Sequence, residues 1–115
     1  MSEFPGGQLN HINPILNVSN LENSIAFYTN KLGLNLLHTF GNPITYAIVG
    51  SNGCQIYLSS NSQGKGETWL SFFVDDLSSM YNHLKENNAE ILLPLSDKNE
   101  FQVADPDGHV LRFFK

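Results

Sequence analysis

A degenerate internal repeat constrains this chain more than any other feature. Val18 matches Val74 and Leu21 matches Leu77, both at an offset of 56 residues (18 to 74, 21 to 77), and Leu36-Leu37 returns as Leu92-Leu93 at the same spacing. In the first half, Leu9–Val18 alternates as a strand. Ser19-Asn20-Leu21-Glu22 follows as a capping box, with Ser19 as N-cap and Glu22 three residues on. Leu21, Ile25, Tyr28 and Leu32 form one helical stripe, and Gly33 supplies the stop. Strands are expected at Asn35–Phe40, Thr45–Val49 and Cys54–Ser59, with Asn52-Gly53 turning between the last two.

The second half repeats that order. Thr68–Val74 is the opening strand, Asp75 the N-cap, and Leu77, Met80, Tyr81 and Leu84 the helical stripe, with Asn87-Asn88 as the stop. Strands are expected at Glu90–Leu93, Glu100–Ala104 and His109–Phe114. Asp105-Pro106-Asp107-Gly108 is a tight turn before the last of them: Pro106 presets φ, and Gly108 takes the positive value. The reading is an α+β domain of two βαβββ modules, residues 9–59 and 68–115, joined by a polar connector over 59–67. One helix covers one face of each module's sheet. The uncovered faces are expected to curve around a shared cleft, helices outside.

Length and composition narrow the function classes. At 115 residues the chain is one domain with a modest core. Six Lys and Arg scattered singly, against a net charge of -5, exclude a nucleic-acid stripe. Cys54 is the one cysteine, so no internal disulfide forms, which points to a reducing compartment. No apolar run approaches a membrane span, and no secretion signal opens the chain. The expected setting is cytoplasmic.

Two stretches give the chain its kinship: Val18-Ser-Asn-Leu-Glu-Asn-Ser-Ile-Ala-Phe-Tyr28, followed by Lys31-Leu-Gly-Leu34, and Asp105-Pro-Asp-Gly-His-Val-Leu-Arg112. In these the chain resembles the vicinal oxygen chelate superfamily of glyoxalase I, bleomycin-resistance proteins and extradiol dioxygenases, and the resemblance covers nearly its whole length. It implies four positions where the metal-dependent members carry His or Glu ligands, on the opening and closing strands of each module. Aligned outward from the motifs, those positions fall on Asn13, Tyr57, Trp69 and Arg112. Indole offers no ligating lone pair and a guanidinium is a fixed cation, so this set is a poor one for a divalent ion. A two-residue slip would bring in His11, without any matching replacement for Trp69 or Arg112. No metal, no cofactor and no catalytic residue is therefore expected.

The cleft is read instead as a pocket for a small molecule. By alternation, Asn13, Ile15 and Asn17, then Gln55, Tyr57 and Ser59, face inward from the first module. Trp69, Ser71 and Phe73, then Val110, Arg112 and Phe114, do so from the second. The candidate ligand-binding residues are Asn13, His38, Gln55, Tyr57, Trp69, Phe73, Gln102 and Arg112. For Trp69 and Phe73, ordinary core packing is the favoured reading, and Arg112 is as well explained by a carboxylate across the sheet. Cys54 is expected to be a quiet packed thiol, and Asp105 and Asp107 to serve the turn. His109, three positions from Arg112, falls on the opposite strand face.

The function implied is a metal-independent binding protein resembling the bleomycin-resistance branch, a homodimer holding an aromatic or cationic ligand. The alternative is a divalent-metal-dependent lyase or dioxygenase of the glyoxalase I kind. A metal-free isomerase ranks last; Glu100 and Gln102 share a face there, but no base with an orienting partner is placed.

Overall fold

The structure is a computed structural model describing Pro5 and residues 11–51, 53–61, 63–97 and 99–115. The first module comprises β1 (Ile15–Asn17), α1 (Leu21–Ala26), β2 (Asn35–Gly41), β3 (Ile44–Ser51) and β4 (Cys54–Ser59). The second comprises β5 (Trp69–Phe73), α2 (Leu77–Glu86), β6 (Glu90–Leu93), β7 (Glu100–Ala104) and β8 (Val110–Phe114). Each module forms its own four-stranded sheet, in the orders β1-β4-β3-β2 and β5-β8-β7-β6. The opening strand lies parallel to the closing strand and the remaining pairs are antiparallel. Ile15 sits opposite Tyr57 and Ser71 opposite Arg112, so Tyr57 and Arg112 take equivalent places in the two sheets.

The helices depart from expectation at their starts. Asn20, not Ser19, caps α1, its Oδ1 accepting the Asn23 amide at 3.0 Å. The Ser19 amide instead donates to Asp107 Oδ1 of the second module, at 2.8 Å. Past Ala26 the helix widens into a π turn over Phe27–Lys31, where the Leu32 amide reaches back five residues to Phe27. Gly33 then ends it at φ 78°, as the stop signal requires. Asp76, not Asp75, caps α2, accepting both the amide and the hydroxyl of Ser79. Asn88 at φ 61° closes that helix. β1 is shorter than expected: Leu9 and Asn10 lie outside the described residues, as does Asn52 of the hairpin turn, and residues 11–14 are not strand.

Strand alternation divides each sheet into a covered and an open face. Leu16, Ile56 and Leu58 from the first sheet pack with Tyr28 and Leu32, while Phe101, Leu111 and Phe113 from the second pack with Leu77 and Leu84. These belong to one continuous core. Phe113 is stacked between Phe101 and Phe72, at 4.7 and 5.1 Å between ring centroids. Burying each such large side chain stabilises the fold by about 1.5–3 kcal/mol.

The Asp105–His109 turn fastens the modules together. The buried Asp105 carboxylate accepts the Tyr28 hydroxyl at 2.7 Å and the amides of Asp107 and His109 at 2.9 Å each. Burial, and next the Asp105 charge, push the Tyr28 phenol far above its ordinary range, so it stays a donor. Buried His109 accepts the Thr68 amide at Nδ1, which leaves the proton on Nε2 to be donated to the Asn17 carbonyl at 2.8 Å. Thus His109 falls away from Arg112 and spans the modules. Asp105 and Asp107 do more than shape a turn, since Asp107 also accepts from the α1 side chain Ser24.

Candidate functional site

The open face of the first sheet is a ladder of rings. Register places His38 opposite Ile48, Phe40 opposite Tyr46 and Ile48 opposite Tyr57. His38 and Phe40 lie 6.2 Å apart, Phe40 and Tyr46 5.7 Å, and Tyr46 and Tyr57 5.7 Å. The last two pairs meet edge to face, the favoured geometry for ring quadrupoles. Asn13 donates weakly to the Tyr57 hydroxyl, at 3.4 Å. Partial burial, with Tyr57 as the lesser cause, holds the Tyr46 phenol above its ordinary range. Phe40 and Tyr46 were not among the sequence candidates. The alternation of Phe40 with His38 was the signal for one; Tyr46 needed the hairpin register.

On the second sheet, the open face is polar at its centre and aromatic at its edge. Arg112 Nε donates to Glu100 Oε2 at 2.9 Å, and Gln102 Nε2 donates to the same oxygen at 2.9 Å. The Arg112 hydrogen bond, followed by that of Gln102, holds the Glu100 carboxyl below its usual range. Glu100 in turn raises the guanidinium. The guanidinium carbon lies 4.7 Å from the centre of the Phe114 ring, which stacks on Phe73 at 5.7 Å. Core packing, the favoured expectation for two aromatics here, fails: Trp69 is 57% exposed and Phe73 76%. β5 is the edge of its sheet, and only its alternate residues Leu70 and Phe72 turn toward the core.

Between the sheets runs a largely apolar groove of about 470 Å³, in which Asn13 and Gln55 from the first module meet Phe73 from the second. His11 and Cys54 line it too, and Cys54 is exposed where a packed thiol was expected. Other expected cleft residues are engaged elsewhere. Asn17 directs its side-chain amide to the connector carbonyls of Asn61 and Gln63. Ser59 is buried and accepts the Asn61 amide. Among the described residues, no hydrogen bond, ion pair or ring contact joins Tyr57 or Asn13 to Trp69 or Arg112. The candidates therefore fall into two groups, one on each sheet, and of them Asn13, Gln55 and Phe73 reach the groove.

These side chains do not suit a metal ion. Arg112 is a fixed cation, and its carboxylate partner Glu100 already serves two donors on one oxygen. Among the described residues, no group of three or more His, Cys, Asp or Glu is placed to hold an ion.

Two βαβββ modules, each with one helix-covered face and one open face, are the fold of a single protein superfamily. The chain belongs to the Glyoxalase/Bleomycin resistance protein/Dioxygenase superfamily, whose profile matches residues 8–113. It is 33% identical to metallothiol transferase FosB of Lysinibacillus sphaericus (strain C3-41), covering 91% of this chain and 79% of that protein. A bleomycin resistance protein of Geobacillus stearothermophilus is 26% identical, over 89% and 93% of the two chains. In fold it resembles TnmS3, an antibiotic-binding protein from Streptomyces sp. CB03234, with a TM-score of 0.77 and 21% identity over 92% of this chain and 95% of that one. No helix among the described residues is long and apolar enough to cross a membrane.

Proposed function

We propose that this chain is a metal-independent binding protein that holds an aromatic or cationic small molecule against its open sheet faces. The observation carrying this reading is the exposure of Trp69 and Phe73 beside an anchored Arg112. Large rings left in water on a structured face cost solvation that a guest recovers. Asn13, Tyr57 and His38 would supply the opposite wall, with Gln55 and Gln102 as polar contacts at its margins. A bleomycin resistance protein among the relatives, and an antibiotic-binding protein on the same fold, support a binding role.

The proposed assembly is a homodimer, in which the first-module face of one subunit closes over the second-module face of its partner. Supporting it are apolar side chains exposed on both outer strands, Leu36, Leu37 and Phe40 on β2 and Leu92 and Leu93 on β6. Such surface on a monomer marks an association site. A thermal-denaturation screen against planar and cationic compounds tests the binding role: saturable stabilisation is expected, and a flat response across the panel overturns it. Sedimentation reads the assembly directly.

Identity to a metallothiol transferase favours one second reading, a metal-dependent enzyme of the superfamily. Elemental analysis of protein purified without chelators decides between them. A stoichiometric transition metal held by this chain would overturn metal independence and favour the enzyme reading.

A further inference from the structure

We infer that Arg112 is an oxyanion receptor, and that the guest carries a carboxylate or phosphoryl group beside its flat ring. The inference rests on the binding role proposed above and names the chemistry of one of its two walls. Arg112 has five N–H donors, and among the described residues its single polar partner is Glu100, engaged through Nε. Among the described residues neither Nη group has a protein acceptor, and together they form the edge of the fork that matches two oxygens of a carboxylate or phosphate.

The fork is held in place before any guest arrives. Glu100 Oε2 fixes Nε at 2.9 Å, Gln102 donates to that same oxygen, and the Phe114 ring lies under the guanidinium carbon at 4.7 Å. A long side chain held at Nε and across its guanidinium face loses little rotamer freedom when it binds, which is the gain of preorganisation. Glu100 also offsets the charge of Arg112, so the pair makes no strong long-range field, and the chain's net charge of -5 repels anions at a distance. Selection then depends on short-range donor geometry. Rings flank the fork: Phe73 stacks on Phe114, and Trp69 stands exposed on the same strand two pairs along from Ser71, the residue opposite Arg112. An aromatic acid can place its ring on this apolar margin with its oxygens at the fork.

Trp69 is the one tryptophan in the chain, so its indole N–H gives a single resonance that reports this face. Four probes of one ring system are titrated against the intact chain: 2-naphthoate, 2-naphthyl phosphate, 2-naphthamide and 2-naphthylmethylammonium. Binding of at least one oxyanion is expected to be roughly tenfold tighter than that of the amide, as charge-assisted hydrogen bonds require. In Arg112→Gln the oxyanion should bind no better than the amide, whose own affinity is retained. Arg112→Lys, which keeps the charge without the fork, should restore only part of the preference and guards against a folding defect in the first variant. Naphthoate and naphthyl phosphate distinguish the two oxyanion sources. Amide or ammonium binding as tightly as both oxyanions overturns the Arg112 assignment and leaves the binding role standing. Silence of the Trp69 signal toward all four overturns both.

Discussion

The two modules share a backbone plan and spend their side chains differently. The first presents a neutral ladder of rings on its open face; the second presents an ion pair bordered by rings. They differ as sharply at the turn before the closing strand. In the second module that turn carries Asp105 and Asp107, which reach back to Tyr28, Ser19 and Ser24 of the first. The corresponding Ser51-Asn52-Gly53 of the first module carries no carboxylate, and α2 is capped by its own Asp76. The repeat therefore supplies the architecture. The departures from it supply the fastening and the candidate site.

Asp105→Ala offers the severest test of this contrast. It strands a buried hydroxyl and two amides at once, and a loss of about 3–5 kcal/mol is expected in urea unfolding, enough to threaten folding in a small domain. Tyr28→Phe removes one donor and leaves the carboxylate with two, so about 1–2 kcal/mol is expected by the same measurement. A loss in Tyr28→Phe equal to that of Asp105→Ala would show that Asp105 acts through the Tyr28 hydroxyl alone and not through the turn amides. Asp76→Ala, the exposed cap within the second module, should lower the unfolding midpoint by less than either and leave the inter-module contacts intact.

The smallest effect concerns pH. Because Arg112 and Gln102 hold the Glu100 carboxyl below its unfolded value, the pair's contribution is fully present above the ordinary glutamate range and is lost as pH falls through the lowered folded value. Glu100→Gln should flatten that acid limb of the stability profile slightly and leave the neutral plateau nearly unchanged, since exposed pairs contribute little. A drop on the plateau instead would show the pair to be part of the fold and not only of the open face.

The sequence carried the architecture because strand alternation and helical stripes repeat at one offset, so each half corroborates the other. The ends of β6 and β7 fall where expected, as do the glycine and asparagine stops. Cap identity was harder to read. Ser19 and Asn20 are both good caps; Asn20 takes the role, and the Ser19 amide goes to Asp107, 88 residues away, a contact no local pattern shows. Side-chain faces were legible for Tyr57, Trp69, Phe73 and Arg112, because alternation requires only local order. Exposure was not: whether Trp69 is core or surface depends on what lies over β5, which no local pattern encodes. Asn17 likewise obeys its strand and still misses the cleft, captured by connector carbonyls.

The Tyr28–Asp105 hydrogen bond spans 77 residues of chain. During synthesis at about 5–20 residues per second, the phenol waits roughly 4–15 s for its acceptor to leave the ribosome. Through that interval the first module carries a polar group with no place to bury it. The turn that emerges late therefore supplies the acceptor that the burial of Tyr28 requires.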